Sequence, residues 1–143
     1  MYRIANGRPN QLIECEAQMM MSYIDMETNI RRFIQLPLEI PKVSALALSW
    51  TVVHPIDENS PMFGLTSVDL VEMDCEFVCL FKAFDETYAQ TVHSRYSYPS
   101  DDMIWGAKFE MMYHREQNGK ATVLDLDKVG SFYEAPLPET IEA

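Results

Sequence analysis

The sequence predicts an all-β chain, an antiparallel β-sandwich of immunoglobulin-like type. Three observations carry that prediction. Apolar and polar residues alternate at period two through most of the chain, as in strands with one wet face. Clusters of Pro, Gly, Asn and Asp cut these runs into seven or eight short pieces, and helical signals are confined to single turns at 66–73 and 127–133. Hairpin-linked strands with almost no helix form a two-layer antiparallel fold. At 143 residues and 48% hydrophobic composition, the chain is long enough to bury a core as one domain.

Residues 1–10, MYRIANGRPN, read as a connector, because Gly7 and Pro9 interrupt any ladder. From there Ile13, Cys15, Ala17, Met19, Met21 and Tyr23 alternate with Glu14, Glu16, Gln18 and Ser22, which predicts the first strand; its methionines are core filling. Residues 25–29 are a hairpin connection. A second strand follows over 30–38, which Pro37 and Pro41 confine to a sheet edge. The adjacent Arg31 and Arg32 point to opposite faces, so one is expected in solvent and the other on a carboxylate of this chain or a neighbour.

The stretch 45–64, ALALSWTVVHPIDENSPMFG, is the centre of the pattern. Leu46, Leu48, Trp50 and Val52 share one face, and Ala45, Ala47, Ser49 and Thr51 the other. Pro55 lacks an N–H and takes the chain out of the sheet, and Asp57, Glu58, Asn59, Ser60, Pro61 and Gly64 build a broad polar turn. Thr66, with Asp69 three residues on, opens a short helical turn. CEFVCLF, residues 75–81, is a strand that ends in Lys82, Ala83, Phe84, Asp85 and Glu86. Residues 87–98 form the next strand, 99–102 turn the chain, and 104–113 form another strand. Asn118-Gly119 marks a hairpin into 122–126, residues 127–133 make one helical turn, and 135–143 are a proline-bearing acidic tail. The expected organisation is a connector over 1–10, one sandwich over 11–134 and the tail over 135–143.

Charge and cysteines narrow the function. A net charge of −11 lacks the clustered Lys and Arg that nucleic acid requires, so cations are the natural partners, though such charge also simply keeps a soluble domain dispersed. The three cysteines, Cys15, Cys75 and Cys79, cannot all pair within one chain and sit among apolar strand residues, as buried free thiols do in a reducing compartment. The longest uncharged run, 43–56, is too short for a bilayer and contains Pro55, and no signal peptide opens the chain, so a soluble, cytosolic character is expected.

A catalytic reading would start from His54, His93 and His114. His54 and Asp57 are near enough for a histidine and its orienting carboxylate, but no serine or cysteine lies in a nucleophile turn, so no enzyme is predicted. Cys75 and Cys79 fall on one side of a strand about 13 Å apart, too far to share a metal. There is no glycine-rich phosphate loop, and Asp101-Asp102 is only a turn. Spacing alone yields an acidic β-sandwich without metal or cofactor.

Five blocks, taken in order from about Arg3 to Glu134, go further. RIANGRPNQLIECEA, RRFIQLPL, LSWTVVHPIDENSP, FDETYAQTVHSRYSY and DDMIWGAKFE together resemble the cytoplasmic domain of bacterial inward-rectifier potassium channels. The resemblance implies a homotetramer whose four sandwiches surround an axial passage continuing a membrane pore, with K+ the permeant ion. It places Lys82, Ala83, Phe84, Asp85 and Glu86 as a gate loop near the axis, braced by an ion pair between Glu86 and Arg95. The bland reading of that pair is an exposed contact worth under about 1 kcal/mol. Arg31, Arg32, His54 and Asp57 become candidates for subunit contact or coupling. The implied partners are other copies of the chain, the membrane pore domain of the same channel and lipid head groups.

Two departures stand out. Lys82 replaces an acid carried by many members, and Lys42, with Glu39 nearby, stands for another, so strong polyamine block is not implied. Ala83 and Phe84 replace the usual glycine, which makes the constriction apolar. The 143 residues contain no membrane helices, selectivity filter or basic lipid-binding segment. The expected role is therefore the cytoplasmic regulatory part of a longer inner-membrane channel. The alternative is a free-standing acidic sandwich that binds a partner protein or small ligand.

Overall fold

The computed structural model describes every residue except Pro9, Ala47, Asn118, Lys120, Pro136 and residues 138–143. They form two compact units, Met1–Met103 and Ile104–Ala143. Strands dominate both and pair antiparallel throughout, as the alternation predicts.

In the first unit, β1 (Tyr2–Ala5), β2 (Leu12–Asp25), β3 (Ile30–Gln35), β4 (Lys42–Ala45), β5 (Ser49–Val52), β6 (Glu76–Asp85) and β7 (Gln90–Pro99) make two sheets. The larger runs β3-β2-β6-β7, with β4 on the first half of β2 and β3 on the second. The smaller is the pair β1-β5, with Tyr2 opposite Val52 and Ile4 opposite Trp50. The expected connector over 1–10 thus begins as a strand: Tyr2 is buried and the strand runs to Ala5.

The single strand expected across 45–52 is likewise two strands. β4 belongs to the large sheet and β5 to the small one, so the chain must leave one ladder to join the other. Leu46, Trp50 and Val52 still face inward. Trp50 meets Phe81 edge to face, with ring centroids 6.5 Å apart, and Tyr2, Met19, Met21, Phe77 and Cys79 fill the same core. Burial of each large side chain stabilises by about 1.5–3 kcal/mol.

The alternation of β2 is broken once. Glu14 has φ +50, and residues 14 and 15 bulge opposite a single position of β6, so Leu12 rather than Ile13 is buried ahead of Cys15. The turn 26–29 then leads to β3, which stands at the sheet edge and ends at Gln35, before Pro37, rather than running to 38. Helix α1 (Ser67–Glu72) starts as predicted: the Thr66 side chain accepts the Asp69 N–H, Asp69 accepts the Thr66 N–H, and Leu70 is buried beneath.

The second unit contains two two-stranded sheets: β8 (Ala107–Phe109) with β11 (Phe132–Glu134), and β9 (Tyr113–Arg115) with β10 (Thr122–Leu124). The continuous strand expected over 104–113 is absent. Gly106, at φ +67, turns the chain before β8, and residues 110–112 separate β8 from β9, which pair with different partners. The hairpin at 118–119 does join β9 to β10, with Gly119 at φ +71; Asn118 lies outside the described residues. The helical turn expected over 127–133 is a 3-10 turn, Leu126–Lys128, and most of the acidic tail lies outside the described residues.

Candidate functional site

The five residues expected as a loop, 82–86, are not one. Lys82, Ala83, Phe84 and Asp85 are the last four residues of β6 and pair with His93, Val92, Thr91 and Gln90 of β7. Only Glu86 belongs to the turn, which spans 86–89. The strand continues because its alternation does: Ala83 and Asp85 are buried, and Lys82 lies on the opposite, open face. A charged residue at 85 looks like a strand breaker in sequence, yet its carboxylate is what closes the turn. It accepts the Thr87 N–H at 2.9 Å and the Tyr88 N–H at 3.4 Å, and Ala89 completes the reversal at φ +49.

A second set of bonds ties the same end of the hairpin to the loop between β1 and β2. Asn10 donates its side-chain amide to Asp85 at 2.9 Å, and the Glu86 N–H donates to the Gln11 carbonyl at 3.3 Å. Asn10 is a site residue that sequence reasoning missed. Its partner is 75 positions away, and nothing local marks it.

The open face of the sheet carries a shallow groove in which Glu16, Lys82 and His93 form one cross-strand row and Gln18, Leu80 and Arg95 the next. Lys82 Nζ lies 3.7 Å from Glu16, so this cation sits beside an acid of the same face. The expected Glu86–Arg95 pair does not form within the chain. Arg95 is opposite Leu80, and Glu86 lies beyond the strand end, about 20 Å farther along at strand rise.

The four coupling candidates each have a partner of their own. Arg31 bonds the Asp74 carboxylate and Ser22 Oγ, and Arg32 bonds Asp25 at 3.0 Å; both arginines meet acids, where one was expected in solvent. His54 is not oriented by Asp57. Its Nδ1 donates to the Pro37 carbonyl at 2.6 Å, and its Nε2 lies 2.7 Å from Ser60 Oγ, which also accepts the Met62 N–H. Asp57 instead accepts the Asn59 N–H within the turn. The buried histidine thus pins loop 54–62 to the segment after β3.

The three cysteines are buried and free, as expected. Burial pushes all three thiols up, Cys79 to about 11, which leaves them protonated and unreactive near neutral pH.

Residues 1–142 match the model of the inward rectifier potassium channel C-terminal domain. The chain belongs to that family. Over 131 residues it is 39% identical to the inward rectifier potassium channel Kirbac3.1 of Paramagnetospirillum magnetotacticum, covering 90% of this chain and 44% of that protein. It is 28% identical over 143 residues to ATP-sensitive inward rectifier potassium channel 12 of Mus musculus, and equally to that of Rattus norvegicus, covering 95% of this chain and 33% of each. This inward-rectifier domain therefore spans less than half the length of these curated relatives. Among its described residues no helix is long and apolar enough to cross a membrane.

Proposed function

We propose that the chain is the cytoplasmic regulatory domain of an inward-rectifier potassium channel, and that four copies surround the inner extension of the pore. The match of residues 1–142 to the channel domain family carries this reading. In it, K+ is the permeant ion, and the partners are the other three copies, the membrane pore domain of the same channel and adjoining lipid head groups. The gate element is the end of the β6–β7 hairpin, with Phe84 and turn 86–89 nearest the axis rather than a loop over 82–86. An ion pair between Glu86 and Arg95 then forms between neighbouring copies, since their register separates them within one. Arg31, Arg32, His54 and Asp57 hold the shape of the surfaces that meet other subunits.

Each copy carries −11, so assembly must work against repulsion that salt screens. Sedimentation at moderate salt tests the proposal. A species of four times 16.5 kDa is expected, and a strict monomer at high concentration overturns it.

A further inference from the structure

Asp85 is 3% exposed, and its carboxylate is shared by two segments distant in sequence. One oxygen accepts the Thr87 and Tyr88 N–H groups and closes turn 86–89; the other accepts the Asn10 side-chain amide. Asn10 is in turn the hub of loop 6–11. Its carbonyl accepts the Asn6 amide at 2.7 Å, and Asn6 Oδ1 accepts the Arg8 N–H at 3.1 Å. The Glu86–Gln11 backbone bond is a second tie between the same two segments. Hydrogen bonds to an ionised acceptor are about twice as strong as neutral ones, and a buried carboxylate that loses a donor is left with the full cost of its desolvation. Neither segment can therefore shift without opening bonds in the other.

We propose that Asp85 is a clasp that makes loop 6–11 and turn 86–89 one mechanical body. The clasp itself follows from the bonding alone; its use rests on the channel reading above. There, loop 6–11 lies between the chain's first strand and the large sheet, and a displacement of it is delivered directly to the gate end of the β6–β7 hairpin. Asp85 is then a positioning residue that acts through the turn.

Amide hydrogen exchange on the whole chain tests this. Asn10→Asp sets a second carboxylate against Asp85, whereas Asn10→Asp combined with Asp85→Asn reverses donor and acceptor and restores the bond. Exchange of the Arg8, Glu86, Thr87 and Tyr88 amides is expected to rise about tenfold together in the single variant, and to return within about threefold of the parent in the double. If Asn10→Asp does not fold, Asn10→Ala removes the bond without adding charge, and the same amides must accelerate together. Acceleration confined to loop 6–11, or no rescue by the reversed pair, overturns the clasp. Sedimentation of the same samples separates the two proposals. A monomeric parent with coupled exchange overturns the channel reading and keeps the clasp; a tetrameric parent with uncoupled exchange does the opposite.

Discussion

The hairpins β2–β3 and β6–β7 are built on one local plan and attached to the molecule in two different ways. In each, an aspartate ends the first strand and accepts the N–H two residues on, Asp25 from Glu27 at 3.0 Å and Asp85 from Thr87 at 2.9 Å. In each, a four-residue turn closes on a left-handed residue, Asn29 at φ +56 and Ala89 at φ +49. The remaining oxygen differs. That of Asp25 accepts from Arg32 at the surface of its own hairpin, whereas that of the buried Asp85 accepts from Asn10 of a distant loop. A turn motif thus sets local geometry, and the partner of the second carboxylate oxygen decides whether the hairpin end is free or fastened.

The largest effect should come from removing the two aspartates in turn. Asp85→Ala removes, from a position only 3% exposed, the one carboxylate that the Thr87, Tyr88 and Asn10 donors share, and should cost about 2–3 kcal/mol in urea unfolding. Asp25→Ala should cost only a small fraction of that, because water replaces the lost bonds. Equal losses would show that the two ends are equally free. Next come the left-handed positions. Alanine is strained at φ +49 where asparagine is tolerated, so Ala89→Gly should stabilise by about 0.5–1 kcal/mol, and Asn29→Gly by clearly less. If both substitutions act alike, the strain assigned to Ala89 is not there.

The contrast also explains what the sequence discloses. Turn 26–29, the Thr66–Asp69 cap and the inward run Cys15, Ala17, Met19 and Met21 are legible because their causes lie within a few residues. Residues 82–86 mislead because Lys82, Asp85 and Glu86 look like turn composition, while the partner that lets Asp85 be buried in a strand is Asn10. β1 hides for the same reason: Tyr2 and Ile4 form a strand only because Trp50 and Val52 are there to pair with them. The break between β4 and β5 reflects two different sheets, which no local period records. The family resemblance, by contrast, depends on ordered blocks rather than partners, and it held from one end of the chain to the other.

The strands below the two turns extend the comparison. Cys79 lies in the centre of β6 with its thiol pushed up to about 11 by burial, while β3 is an exposed edge. A thiol held neutral in the folded state gives stability that is complete below its ordinary value of 9.0 and fades as pH rises through about 11. Cys79→Ala should flatten the loss of stability between those values, and native Cys79 should resist alkylation at neutral pH until the chain unfolds. Rapid labelling in the folded state would mean that β6 opens as readily as an edge.

The smallest effect belongs to Asp25 itself. The Glu27 N–H, and after it the Arg32 guanidinium, hold its carboxyl below the ordinary value of 3.8. Because the folded value is the lower one, this contribution is present above pH 3.8 and is lost as pH falls through the depressed value. Parent and Asp25→Asn stability curves should therefore run slightly apart near neutrality and converge in acid. Salt should narrow the gap near neutrality, since the Arg32 partner is half exposed and screened. A gap that persists in acid would mean that Asp25 acts through its shape rather than its charge, and that this hairpin too is held by something beyond its own surface.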